Sequence, residues 1–254
     1  MKRIGLVVTL LSCLALPSVF ANERGEALSL FYQANASYGE EDFKKAIAGY
    51  EEILALGFES GALYYNLGNA YFKNGSLGKA IVNYRRAARY LPRDADVKAN
   101  LSYAQSLIKG GPLQVRRTWF IRLFYSFAQT FSLNEITAAT SLLYLALAVS
   151  IILFILFKEM RKPLAYVCGL LFLLLVLCFS AFLVQYNRVV VRKEAVVVVE
   201  QTDSRFEPFG DATTFFTLRE GESIVVVKSK DEWVKVRRAD GKQGWIKKSD
   251  IEFL

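Results

Sequence analysis

The 254-residue chain reads as a multidomain membrane protein with three unlike parts: an all-α helical-repeat superhelix, a two-helix transmembrane hairpin and a small all-β module. Three observations predict this order. The first part repeats itself at an offset of 34 residues, the middle holds two uncharged apolar stretches of about 20 residues each, and the last part breaks into short β-rich runs between turn signals.

Composition sets the bounds. At 53% hydrophobic residues the chain is too apolar to be wholly soluble, so part of its apolar surface must face lipid. The net charge of +8 is spread through every segment and interleaves with no recognisable nucleic-acid fold, so nucleic acid is not expected as a partner. Histidine is absent, which excludes His-dependent triads and His-ligated zinc. No nucleophile–base pair, phosphate loop or metal-ligand cluster is visible either. The chain is therefore read as a non-enzyme without catalytic, cofactor-binding or metal residues. Of the cysteines, Cys13 lies in the N-terminal apolar stretch, and Cys168 and Cys178 would stand about 15 Å apart on one helix, too far for a disulfide.

Residues 1–21 begin with Lys2 and Arg3, run apolar from Ile4 to Leu16 and end Pro17-Ser18-Val19-Phe20-Ala21. Small residues before Asn22 fit a cleaved signal peptide, and an uncleaved anchor helix is the alternative.

Residues 24–110 carry the repeat. Ala46-Ile47 with Tyr50 returns as Ala80-Ile81 with Tyr84, and Phe31, Ala34 and Asn35 align with Tyr65, Gly68 and Asn69. Small residues where two helices cross, with aromatics filling the gaps, resemble the tetratricopeptide repeat. The second unit matches the family pattern through Gly75, Ala80, Tyr84, Ala87 and Pro92, whereas the first departs at Gln33, Ala34 and Phe58. Each helical pair has an apolar face it cannot bury alone, so the pairs stack and need a capping helix, expected from Asp94 to Gly110. Two repeats are fewer than the usual three, which leaves the stack in need of a further support.

Stacking creates a concave surface expected to hold Phe31, Asn35 and Tyr38 from the first unit and Tyr65, Asn66, Asn69, Phe72 and Lys73 from the second, with Asn100 beyond. The asparagines fall in pairs, Asn35 with Asn66 and Asn69 with Asn100, each 31 residues apart. Resemblance to peptide-binding members implies that such amides hydrogen-bond an extended ligand, since they donate and accept at once. Phe31, Asp96 and Asn100 stand where a carboxylate clamp would have lysine or arginine, which speaks against recognition of a terminal carboxylate. Repeat-consensus asparagines that satisfy helix ends are the other reading.

Residues 115–135 include Trp119, Phe120, Leu123, Phe124, Phe127 and Phe131 near Arg117 and Arg122, a composition suited to lying along a membrane interface or packing back on the repeats. Residues 137–157 and 164–185 are uncharged and long enough to cross a hydrocarbon core of about 30 Å. They are joined by Lys158-Glu159-Met160-Arg161-Lys162-Pro163 as a hairpin. Basic flanks on both ends nearly cancel in the positive-inside count, so orientation follows from the signal segment and an even number of later spans. Both soluble parts are then expected in the periplasm of a bacterial inner-membrane protein, and the spans, which hold no ionisable group, are expected to be anchors.

Residues 193–254 alternate β-rich runs, Ala195–Val199, Ser223–Lys228, Trp233–Arg237 and Gly244–Lys247, with turns at Glu220-Gly221, Lys230-Asp231 and Asp240-Gly241. Leu218 with Glu220-Gly221, Trp233-Val234-Lys235-Val236 and Gly244-Trp245-Ile246 resembles a bacterial SH3-like barrel. Asp240-Gly241 is expected to supply the positive φ of a tight hairpin, and Trp233 and Trp245 to fill the core. The resemblance implies peptidoglycan or peptide binding, for which Phe209, Phe215, Phe216, Arg237 and Lys242 are candidates, although core or solvated roles fit each of them as well. The order of parts resembles the BatE-type proteins of the bacterial aerotolerance operon. That resemblance implies von Willebrand A domain membrane proteins as partners, a MoxR-type ATPase indirectly, and a scaffold role in aerotolerance or envelope stress. Peptidoglycan binding or cell-wall sensing is the alternative.

Overall fold

A computed structural model describes residues 24–109 and 118–254, so the signal segment lies outside the described residues. Five helices come first: α1 over residues 24–39, α2 Phe43–Ala55, α3 Gly61–Lys73, α4 Leu77–Tyr90 and α5 Ala95–Ser106. Capping side chains fix three starts: Asp42 accepts from the Lys45 amide at 3.1 Å, Ser60 from Leu63 at 3.1 Å and Asp94 from Val97 at 2.9 Å. The turn after α3 uses Gly75 at φ +83°, and 34 residues earlier Glu41 takes the same left-handed conformation at φ 62°. A side chain there costs about 1 kcal/mol that glycine avoids, so the first unit departs from the repeat pattern at a backbone position too.

Ala46, Tyr50, Leu67, Ala70, Ile81 and Tyr84 are buried between the helical pairs. The same core takes in Val196 and has Val198 and Leu254 packed against it, three residues from the far end of the chain.

The middle part is α6 Trp119–Thr130, α7 Leu133–Leu156 and α8 Arg161–Tyr186, with a single 3-10 turn Lys158–Met160 between the last two. α7 starts four residues before the expected 137 because Ser132 and Glu135 form a reciprocal capping box. Pro163 falls in the first turn of α8, where its missing N–H breaks no bond. Both long helices are apolar enough to cross a membrane, and only 6% of each apolar window is buried, so their side chains face outward. α6, α7 and α8 meet at Ala128, Ile136 and Ala181, and buried Gln185 donates to the Ala128 and Phe131 carbonyls at 2.8 and 2.9 Å. Toward the repeats, Arg93 stands over the Phe131 ring and pairs with Glu135. Cys168 and Cys178 are free thiols.

After a π-turn Asn187–Val191 come seven strands: β1 Glu194–Val197, β2 Gln201–Arg205, β3 Thr214–Arg219, β4 Ser223–Lys230, β5 Trp233–Arg237, β6 Gln243–Lys247 and β7 Ile251–Phe253. They form one antiparallel sheet in the order β3-β2-β6-β5-β4-β1-β7. The small barrel expected from the sequence is corrected here to an open sheet, because β3 and β7 are its edges and do not pair with each other. Inward-facing Leu218, Ile224, Val234, Val236 and Ile246 make its core. Contrary to expectation, neither tryptophan belongs to that core: Trp245 is buried outside it, next to Ile246 in the strand, and Trp233 is half-buried. The expected tight Asp240-Gly241 hairpin is likewise corrected: only Gly241 has positive φ, at +90°. Asp240 instead holds a longer loop by accepting from the Arg238 guanidinium and the Lys242 amide.

The sheet docks on α4. Ser76, the residue at the N-terminal end of α4, makes no capping bond, and the orphan Gly78 amide is taken by the Glu220 carboxylate at 2.7 Å. Arg85 pairs with Glu194 at 3.1 Å, and Arg86 pairs with Glu252 at 2.8 Å. A Cβ at Gly78 would fall 2.4 Å from the Val197 carbonyl oxygen and 2.9 Å from the Val198 Cα, so only glycine admits this approach.

Gly78→Ala is a signed test of the docking. In an exposed helix the exchange stabilises by about 1 kcal/mol. Against the Val197 backbone it should instead destabilise by about 1–3 kcal/mol, and the two outcomes are separated by thermal unfolding of the detergent-solubilised chain.

Candidate functional site

Two hydrogen-bonded triads recur with the repeat period. The Tyr50 hydroxyl donates to Asn35 Oδ1 at 2.6 Å, and the same oxygen accepts from Asn66 Nδ2 at 2.9 Å. One unit on, Tyr84 donates to Asn69 Oδ1 at 2.7 Å, and that oxygen accepts from Asn100 Nδ2 at 3.0 Å. Each triad ties both helices of one unit to the first helix of the next, with α5 standing in for the first helix of a third unit.

The reason for the pattern is burial. Tyr50 and Tyr84 are 1% and 2% exposed, and a buried hydroxyl without an acceptor costs about 1–3 kcal/mol. The asparagine carbonyls meet that need, so these amides join helices to one another and do not cap helix ends. Burial pushes the Tyr50 phenol up to about 12 from an ordinary 10.0 and raises that of Tyr84 as well.

Tyr38, Tyr65, Asn69, Phe72, Lys73 and Asn100, six of the nine residues expected in a groove, surround a cleft of about 390 Å³. The other three stand apart from it. Phe31 packs its ring 6.0 Å from that of Tyr50, and Asn35 and Asn66 belong to the first triad. Tyr84 and Tyr103 complete the wall. Tyr103 was missed, although it lies 34 residues after Asn69 and carrying the period into a third unit would have found it. Its ring sits 5.7 Å from that of Phe72.

Aromatic walls supply apolar contact, while Asn69 and Asn100 present amide groups that the triad does not saturate. Asn100 also donates to the Tyr65 hydroxyl at 3.0 Å, and exposed Lys73 gives the rim a positive charge. This arrangement can hold an extended backbone; it offers no nucleophile or proton-transfer pair. Among the described residues no group of three or more His, Cys, Asp or Glu could hold a metal ion.

A second surface lies at the β3 edge of the sheet. The rings of exposed Phe206 and Phe215 are 4.5 Å apart, with Lys242 over Phe215 at 5.9 Å. Phe216 is buried and covered by Arg238 at 4.7 Å, whereas Phe209 and Arg237 point to solvent.

Comparison with protein families matches residues 61–94, which hold α3 and α4, to the tetratricopeptide repeat. Residues 205–252 match the bacterial SH3 domain. Both are interaction modules. Comparison with curated proteins gives no match.

Asn69→Leu should strand the Tyr84 hydroxyl and cost about 1–3 kcal/mol in equilibrium denaturation, with Tyr84→Phe added in the same chain recovering part of the loss. Alkaline pH acts on Tyr50 through its raised pKa. The folded chain keeps the phenol neutral where the unfolded chain ionises it, so this stabilisation is whole below pH 10.0 and fades as pH climbs to about 12. Denaturation midpoints across that range should fall less steeply in Tyr50→Phe than in the parent.

Proposed function

We propose that the chain is a non-catalytic scaffold of the bacterial inner membrane that binds proteins through the repeat groove. In this reading the α7–α8 hairpin is the anchor, and the repeats and the sheet lie together in the periplasm. One observation carries it: the segment before the hairpin and the segment after it meet across Gly78–Glu220, Arg85–Glu194 and Arg86–Glu252. Two parts that flank a membrane hairpin can touch only if they share a side. The choice of the outer side rests on the export signal read at residues 1–21.

The groove suits an extended peptide segment of a protein partner, held by aromatic walls and asparagine amides. Likeness of the whole arrangement to BatE-type proteins extends the proposal to von Willebrand A domain membrane proteins as direct partners. A MoxR-type ATPase would be engaged indirectly, in an aerotolerance or envelope-stress complex. Binding of peptidoglycan is a second reading, favoured by the exposed Phe206 and Phe215 pair, since flat rings beside a cation suit sugar faces. Sedimentation of the solubilised full chain with purified peptidoglycan decides that reading, which fails if the chain stays in the supernatant.

Topology is tested with Tyr32→Cys and Lys242→Cys, both at exposed positions. A membrane-impermeant maleimide added to intact spheroplasts should label both, and labelling of one alone would overturn the shared side. Co-purification from membranes should recover von Willebrand A proteins with the parent chain and lose most of them with Tyr103→Ala combined with Lys73→Glu.

A further inference from the structure

A cleft of about 570 Å³ opens where α4, α6, the end of α8 and β1 converge. Its floor is apolar, formed by Leu183 and Val184 in the last turn of the outward-facing α8 helix, with Tyr125 of α6 beside them. Its upper wall is cationic: Arg85, Arg188 and Arg192 face the single carboxylate of Glu194. The π-turn sets this wall. Its closing bond, from the Arg192 amide to the Asn187 carbonyl at 2.8 Å, brings Arg188 and Arg192 to the cleft, and the Asn187 side chain accepts from Arg192 Nε at 3.0 Å.

Charge is not balanced here. Glu194 is committed to Arg85, and Arg86 is committed to Glu252. Arg89 and Arg188 make no side-chain hydrogen bond or ion pair to another described residue. Burial is the chief cause that lowers the pKa of Arg85 and of Arg89; the Glu194 carboxylate opposes it for both, and the repulsion of Arg188 adds to the lowering.

We infer that this cleft binds the phosphate headgroup of an anionic membrane phospholipid, with an acyl chain laid along Leu183 and Val184. Arginine matches the chemistry because its planar fork meets phosphate oxygens two at a time. The site's depth fits as well, since the cations begin where the apolar run of α8 ends and a lipid phosphate would sit at that level. A bound headgroup would bridge the anchor, the repeats and the sheet at one point.

The inference rests on α7 and α8 spanning a membrane, and its test separates the two claims. Full-length chain is purified in neutral detergent, delipidated and titrated with phosphatidylglycerol, with phosphatidylcholine and with inorganic phosphate, and adducts are read by native mass spectrometry. The expected result is retention of phosphatidylglycerol over phosphatidylcholine, weakened about tenfold or more in Arg188→Gln combined with Arg192→Gln. The Lys pair at the same positions should recover part of it. Equal retention of both lipids, or an unchanged preference in the Gln pair, overturns the lipid site. Phosphate binding without lipid preference also overturns it, in favour of a free-anion site. Alkaline carbonate extraction of the chain from membranes removes the spanning reading and this inference together, whereas an integral chain that shows no lipid preference loses the inference alone.

Discussion

The Glu220 carboxylate at the start of α4 is the contact on which the arrangement of the other parts depends. A helix leaves its first amides without partners, and α2, α3 and α5 meet that need from their own capping residues. α4 does not, and its Gly78 amide is satisfied from a turn of the sheet 142 residues away. A charge at the positive end of a helix dipole gains more there than a neutral cap would. Once the sheet stands on α4, Val196 enters the repeat core, Val198 and Leu254 pack against it, and together they extend a stack of two units.

The same docking explains why the groove faces where it does. α4 is the second helix of its unit, so the sheet covers the outer side of the stack and leaves the side lined by α1, α3 and α5 open. Support of the stack and the open cleft therefore fall on opposite sides. The triads then hold the open side in shape, because Asn35 and Asn69 each join three helices through one carbonyl oxygen. A groove built on such fixed amides would lose little freedom on binding an extended segment.

Much of this was legible in the sequence, for definite physical reasons. A 34-residue period and two uncharged apolar runs are strong signals: helices α1 to α5 occupy the stretch that carries the period, and α7 and α8 contain the two runs except for Phe157. Strands β2 and β7 left no such trace. The inward positions of β2 are Thr202 and Ser204, and Thr202 is satisfied by Asp250 at 2.6 Å, so no hydrophobic alternation marks that strand. β7 has three residues, too few for any periodicity. In the groove, aromatic and asparagine positions followed the repeat, and Tyr103 was lost only because α5 was read as a lid rather than as a third first helix. The triads were visible as 31-residue pairs, but their purpose was not, since the hydroxyl that needs them becomes buried only when both units are stacked.

What no local pattern could supply is the interface between the modules. Glu220-Gly221 reads as a turn, and it is one, with Gly221 at φ +84°. Its carboxylate role depends on an amide far away in sequence, and the close approach depends on Gly78, which by itself looks like a weak helix residue. The matched bacterial SH3 segment begins at residue 205, after the docking strand β1. β1 follows α8 by way of Arg188 and Arg192, offers Glu194 to Arg85 and then packs Val196 on the repeats. The end of α8, the repeats and the sheet are thus joined between Asn187 and Val196, a linkage that depends on contacts far apart in sequence and so leaves no local pattern.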